Sequence, residues 1–470
     1  MSVQEMPSWK RHMLFTLACS HVLLASGAAY GWTALRPVLM DSGVFDSFPE
    51  LEQAAMLNSV ATMGIAANAL CKLPLGIFLD SLGPRYTAMV GAVLLSGGSL
   101  AMAIGDKQSQ HIMMWSYFAI GVAGPFLQMP CFQFAELYGL KKESARATLV
   151  LCFELSTGVF WVFGQLHDYF KLNHAQLFIG YSAVGLFSLT TSAFLWPDRP
   201  YKSVPPPPST NHPPQKGEHK KRAVVPTSTL LDKSLVRQIF SFPFFYVTLF
   251  FSIHNFCQGF VLATLGPQIE EFFTADDGKQ AQTLISSFTI ILPLGFLPMM
   301  LFTATGLAAY ILARHRLAFI FVSLLCTIYG LLLLVHVPAA YLALFVIFPV
   351  ARQFVFASYF SYSANTFGYA SFGRIAGVSS TFAGLAQLTQ TKVVAMIKDP
   401  NSSLSWDKVD LWMGLTPILL LGYPVASYVA QCCAAPPDEH AAPAGAADGL
   451  YPNEDDLDAP LLGTGQWRGG

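Results

Sequence analysis

The chain has 470 residues, 53% of them hydrophobic and 12% charged, with a mean hydropathy of +0.47. Soluble domains carry about twice that share of charge, so this composition excludes an ordinary water-soluble protein and points to a bilayer as the main solvent. A net charge of −1 leaves no basic footprint for nucleic acid.

A helix needs about 20 mostly apolar residues to cross a hydrocarbon core of about 30 Å. After a polar N-terminus (1–12), the first apolar run extends from Met13 to about Arg36. It is too long for a cleavable signal peptide and ends in no small-residue cleavage site, so it reads as an anchor. Further runs at roughly 54–79, 86–105, 112–136, 145–166 and 174–196 complete a first set of six spans, residues 13–196. Residues 197–242 carry Pro205-Pro206-Pro207-Pro208, Pro213-Pro214 and Lys220-Lys221-Arg222, and read as a disordered linker. A second set of six occupies 243–433, with runs at roughly 243–267, 281–303, 305–334, 339–362, 373–398 and 409–433. Between the eighth and ninth, apolar Gly306 to Leu312 and the pair Arg314 and Arg316 leave two places for the turn. Pro125, Pro130, Pro293 and Pro298 predict broken helices whose freed carbonyls need neighbours. The expected fold class is therefore all-α, with twelve transmembrane helices.

The tail, 434–470, is rich in Ala, Pro, Gly and acid and is expected to be disordered. Within it, Asp458, Leu461 and Leu462 have the form of an acidic dileucine signal for a sorting adaptor, a pattern that also arises by chance. Cys432-Cys433 is either a palmitoylation site or two small residues at a helix end. All eight cysteines lie in or beside apolar runs, without disulfide-framework or metal-ligand spacing. No nucleophile set, phosphate loop or metal cluster stands out, so neither an enzyme nor a cofactor is expected. Lys10, Arg11, Arg85, Lys141, Lys142, Arg146, Arg314, Arg316 and Arg374 all fall on one side of twelve spans, while the first opposite loop is acidic. The positive-inside rule then puts both termini in the cytoplasm. The membrane itself is left open among plasma, endosomal, lysosomal and vacuolar. Asn401-Ser402-Ser403 is a sequon in a short outer loop, where little glycosylation is expected.

Where the second span runs out, the chain reads Gly76-Ile77-Phe78-Leu79-Asp80-Ser81-Leu82-Gly83-Pro84-Arg85. Leu73-Pro74-Leu75-Gly76 returns as Leu292-Pro293-Leu294-Gly295 about half a chain later. A charged turn after the second helix in a duplicated chain resembles the major facilitator superfamily of transporters. Gly31-Trp32-Thr33-Ala34-Leu35-Arg36-Pro37, Ser234 to Ser241, and Phe367-Gly368-Tyr369-Ala370-Ser371-Phe372-Gly373-Arg374 resemble its L-type amino-acid-transporter-3-like branch. One departure is Asn255-Phe256-Cys257-Gln258, where relatives often place an arginine. The resemblance implies two pseudo-symmetric six-helix bundles and alternating-access uniport of neutral amino acids, or in one related type of nucleobases. A non-transporting sensor or scaffold is the alternative from another class.

The resemblance also implies that Asp80, with Gly76, Gly83 and Arg85, faces the start of the eleventh helix, where Arg374 completes an inter-bundle latch. Arg85 is expected to pair with Glu136, and Met299 takes the place of Asp80 in the second half. Charges inside spans are costly, and there are few: Lys72, Glu136, Glu154, Arg352, Lys392 and Arg36. Arg352, on a cavity-lining tenth helix, either binds a substrate carboxylate bidentately or neutralises Glu154. Glu154 is otherwise the one interior acid suited to carry a proton, and the fifth span lacks the Gly-Pro signature of proton-driven antiporters. Tyr30, Trp32, Gln128, Gln133, His254, Asn255, Gln258 and Gln353 are the candidate polar and aromatic lining, each also explicable by helix packing.

Overall fold

A computed structural model describes residues 6–201, 230–273, 278–399 and 401–425, and all regular structure among them is helical. The first apolar run becomes a bent rod of α1 (Ser8–His21), a π turn (Val22–Ser26), a 3-10 turn (Ala28–Gly31) and α2 (Trp32–Asp41). At the bend, the amide of Gly27 donates to Ser156 Oγ at 2.6 Å, so the fifth span satisfies a group that the broken ladder releases.

α3 (Glu50–Leu70) continues across Cys71 into α4 (Lys72–Ile104), which holds the end of the second span and all of the third. The turn inside α4 is Gly83, with φ +84°. A Cβ there would also lie 1.9 Å from the Asp198 carbonyl oxygen, so conformation and space both demand glycine. α5 (Gln110–Gln128) tightens beyond Pro125 into a 3-10 stretch (Met129–Lys141). α6 (Lys142–Ser156), α7 (Val159–Phe170) and α8 (His174–Leu195) complete the first half, α8 opening on a capping box of Asn173 and Gln176.

The second half comprises α9 (Leu235–Ile239), α10 (Phe242–Phe272), α11 (Lys279–Leu294), α12 (Phe296–Ala304), α13 (Leu307–Ala313), α14 (His315–Leu333), α15 (Pro338–Phe367), α16 (Phe372–Leu388), α17 (Gln390–Lys398) and α18 (Trp406–Leu419). The eighth span breaks at Gly295, between α11 and α12, beside the Pro293 that predicts it. The ambiguous stretch before the ninth span is a separate short helix, α13, entered through Gly306 at φ +77°. Among the described residues, eight helical stretches are each long and apolar enough to cross a bilayer. Trp115, Trp161, Phe194, Leu301, Trp412 and Leu419 are exposed on the outer surface, whereas Gln128, Gln133, Arg146, Gln258 and Arg352 are buried. Apolar outside and polar inside is the arrangement lipid requires.

Of the expected linker, residues 202–229 lie outside the described residues, as do Cys432, Cys433 and the tail with Asp458, Leu461 and Leu462. The linker's end is ordered, which corrects the expectation of disorder up to residue 242. Gln238 of α9 is buried, donates to Leu230 O (2.7 Å) and Phe367 O (3.2 Å), and accepts from Ser371 Oγ (2.5 Å). That one amide ties α9 to the end of α15 and the start of α16, which low hydrophobicity alone could not reveal.

The halves meet along α4 and α16. A Cβ on Gly76 would come 2.1 Å from Gly373 O, and one on Gly377 would come 2.5 Å from Lys72 O. Backbones this close exclude any side chain between them. Gly76→Ala should therefore part the seam by about 1 Å, the gap needed to restore van der Waals contact. In a cysteine-free background carrying Ser380→Cys on the same face of α16, the added methyl should turn an unreactive thiol into one that maleimide labels. Unchanged labelling would mean the contact is not tight.

Candidate functional site

The centre of that seam is an anion site at a helix N-terminus. Asp80, its side chain 2% exposed, accepts from the amides of Gly373 and Arg374, both at 2.9 Å, and from Arg374 Nε at 2.7 Å. The first amides of a helix have no intrahelical acceptor and carry the positive end of its dipole, so α16 is completed by a carboxylate from the other half. Asp80 and Arg374 thus meet as expected. Arg85 does not pair with Glu136: its Nη1 lies 2.9 Å from Asp198 Oδ1, and its Nε donates to Trp196 O at 2.8 Å. The Gly83 turn aims it at the end of α8.

Glu136 is held instead by Arg146, with Nη2 to Oε1 at 2.6 Å. The same guanidinium donates from Nη1 to Glu143 Oε1 and to Asn365 Oδ1, each at 2.8 Å, and lies beneath the Tyr369 ring. Glu143 also accepts from Ser361 Oγ and from Asn365 Nδ2. Ser361 and Asn365 belong to α15, so this buried network is a second bridge between the halves. Arg146 is thus more than one of the positive charges that mark the cytoplasmic side. A faint signal was present in Glu143 and Arg146, three residues apart on one helical face.

Above the charged layer comes an aromatic one. Phe132 packs on Phe360 at 4.5 Å between ring centres, Phe153 on Phe356 at 5.8 Å, and Phe251 stacks on Tyr359 at 4.1 Å. One turn beyond Phe356, Arg352 Nε meets Glu154 Oε2 at 2.9 Å. That distance makes neutralisation of Glu154 real. It does not consume the guanidinium, because among the described residues Nη1 and Nη2 make no hydrogen bond. Glu154 Oε1 is buried without a partner. The Tyr30 hydroxyl donates to Asn68 Oδ1 at 3.1 Å, within electrostatic reach of both Arg352 and Glu154.

The other candidate lining residues divide. Gln133 and Gln258 are buried with both amide atoms unpartnered, as a polar ligand site would leave them. Gln258 lies against the Cys326 thiol of α14. Gln128 is buried in the last turn of α5, and the Asn255 carbonyl accepts from Gln387. Three residues have other work. Trp32 packs edge-on to Tyr117 inside the first half, His254 bonds back to Phe250 O at 2.7 Å, and Gln353 Nε2 reaches Gly295 O at the break in the eighth span. Asp410 corrects the expectation that Glu154 is the one interior acid. It is fully buried, receives one long bond from Gln268 Nε2 (3.4 Å), and leaves Oδ2 unpartnered. It lies near the start of a span, where an acid ordinarily meets the headgroups.

Residues 17–390 match the profile of the Major Facilitator Superfamily. The chain is 21% identical to Arginine transporter 1 of Toxoplasma gondii over 488 aligned positions, covering 88% of this chain and 87% of that protein. It is 27% identical to Protein FMP42 of Saccharomyces cerevisiae over 210 residues, and so spans only 41% of that protein's length. Over 158 residues, 28% of each chain, it is 24% identical to the mouse Large neutral amino acids transporter small subunit 3. A variant of the Escherichia coli fucose:proton symporter FucP superposes with a TM-score of 0.60 at 14% identity, over 89% of this chain and 99% of that one. The human organic anion transporter MFSD10 gives 0.60 at 13%, over 88% and 100%. At these identities the structural likeness shows the fold.

Arg146 and Arg85 should differ in what they contribute to stability. Arg146→Met leaves two buried carboxylates facing each other and should cost about 3–5 kcal/mol. Arg85→Ala breaks a pair whose acid is 62% exposed and should cost about 1 kcal/mol or less. Thermal unfolding in detergent checks the ranking; equal losses would contradict it.

Proposed function

This chain belongs to the major facilitator superfamily, a family of membrane transporters rather than enzymes, with a fold of two pseudo-symmetric six-helix bundles, and from that membership we propose that it is a facilitative carrier of neutral amino acids. The observation that carries the reading is the Arg352–Glu154 pair at mid-depth between the halves. A guanidinium with two free nitrogens suits a carboxylate, and the unpartnered Glu154 Oε1 suits an ammonium. The relatives named for transport of arginine and of large neutral amino acids support the class of solute.

The mechanism we assign is alternating access. The described bonds between the halves run from the Asp80 layer through the Arg146 network and the aromatic layer to Arg352. The chain is therefore closed on the Asp80 side, which the positive-inside rule makes cytoplasmic. Transport is uniport: Glu154 is already engaged by Arg352, and Asp410 sits at the far end of α10, bonded to Gln268 there. The membrane we assign is the plasma membrane or one of the endosomal, lysosomal or vacuolar membranes.

Labelled leucine should enter proteoliposomes holding the purified chain, without stimulation by an imposed proton gradient. Adenine uptake in place of leucine would establish the nucleobase reading, and ligand binding without flux a sensor. Asp80→Asn should leave a folded protein in which the helix N-terminus loses its anion. A loss of about 2 kcal/mol shifts a balanced pair of states roughly thirtyfold toward cytoplasmic opening, and uptake should fall accordingly. Wild-type flux in that variant would reduce Asp80 to a topology marker.

A further inference from the structure

We infer that Lys72 supplies the substrate-carboxylate contact, and that Lys72, Arg352 and Glu154 form a site of net positive charge that admits neutral amino acids and rejects cationic ones. This rests on the amino-acid reading above.

Lys72 opens the α4 face that meets the other half. Lys72, Gly76 and Asp80 are spaced i, i+4, i+8 and so lie in one row. Gly76 touches Gly373, Asp80 binds the start of α16, and the Lys72 carbonyl packs beside Gly377. The side chain is therefore on the interface, roughly 12 Å from the latch at 1.5 Å per residue. It is partly exposed and within electrostatic reach of Arg352.

Among the described residues Lys72 has no ion pair or hydrogen bond. Glu154, the acid beside Arg352, already holds Arg352 Nε. With Lys72 protonated, two cations stand near each other with one carboxylate between the halves to offset them, an excess of +1. An uncompensated charge in mid-membrane is expensive, and a lysine near a span end would normally snorkel to the headgroups. Roughly 12 Å inward of the latch, Lys72 is farther from that end than a lysine side chain reaches, which leaves a ligand as its partner. An α-amino acid fits. Its carboxylate bridges the Lys72 ammonium and the free Arg352 nitrogens, and its ammonium takes Glu154 Oε1, the buried atom without a partner. A side chain bearing a second positive charge about 8 Å from the excess charge, at an effective dielectric of about 20, loses roughly thirtyfold in affinity.

The test combines flux with ligand-induced thermal stabilisation, using leucine, arginine, leucinol and 4-methylpentanoate. Wild type should carry leucine and be stabilised by 4-methylpentanoate, with arginine and leucinol at least tenfold weaker. Lys72→Gln should raise the leucine KM tenfold or more with a smaller change in kcat, and should narrow the preference over arginine; Lys72→Arg should restore both. If leucine is carried but Lys72→Gln keeps the wild-type KM and selectivity, the inference fails and the transport reading stands. If Lys72-dependent binding of 4-methylpentanoate occurs without leucine flux, the charge site stands and the amino-acid reading fails. Should Lys72→Gln not fold, the wild-type comparison still decides: equal uptake of arginine and leucine overturns the site.

Discussion

The bond between Asp80 and the N-terminus of α16 is the contact on which the seam between the two halves depends. In lipid there is no hydrophobic force to bring two apolar bundles together, so close packing and polar contacts must do it. Here the same few residues provide both. Gly76, Gly373 and Gly377 let the backbones touch, and only then can Asp80 reach two amides and a guanidinium at 2.7–2.9 Å. Gly83 turns the chain immediately afterwards, and Arg85 fixes that turn to the end of α8.

The layers above the latch differ in how completely their polar groups are satisfied. Around Arg146, two carboxylates and an asparagine share one guanidinium while a serine donates to one of the carboxylates, which makes a stiff network. The rings of Phe132, Phe360, Phe153 and Phe356 then exclude water without adding charge. At the level of Arg352, Glu154 Oε1 is left over although its other oxygen is held by the guanidinium. Asp410, also undersaturated, stands apart at the far end of α10 and shares no bond with this cluster.

Much of this was legible in the sequence, and for a consistent reason. Composition and run length reflect the solvent, so the membrane class, the helical spans and the linker's proline run could be read residue by residue. The latch was legible because its geometry is local: a carboxylate, a glycine turn and a guanidinium within ten residues, with Arg374 opening a later span. Tertiary structure alone decided the partners. Spacing put Arg85 and Glu136 at the same end of the molecule, but the Gly83 turn sends one toward α8, while Arg146, ten residues along the chain, claims the other. Trp32, His254 and Gln353 have the right chemistry for a cavity and also meet Tyr117, Phe250 O and Gly295 O, because a helical period of 3.6 fixes which residues share a face and leaves open which neighbour that face meets. The ordered end of the linker, the burial of Asp410 and the surplus charge at Lys72 were hidden for the same reason. Each depends on a distance between residues far apart in the chain, and a sequence carries composition and local spacing but not those distances.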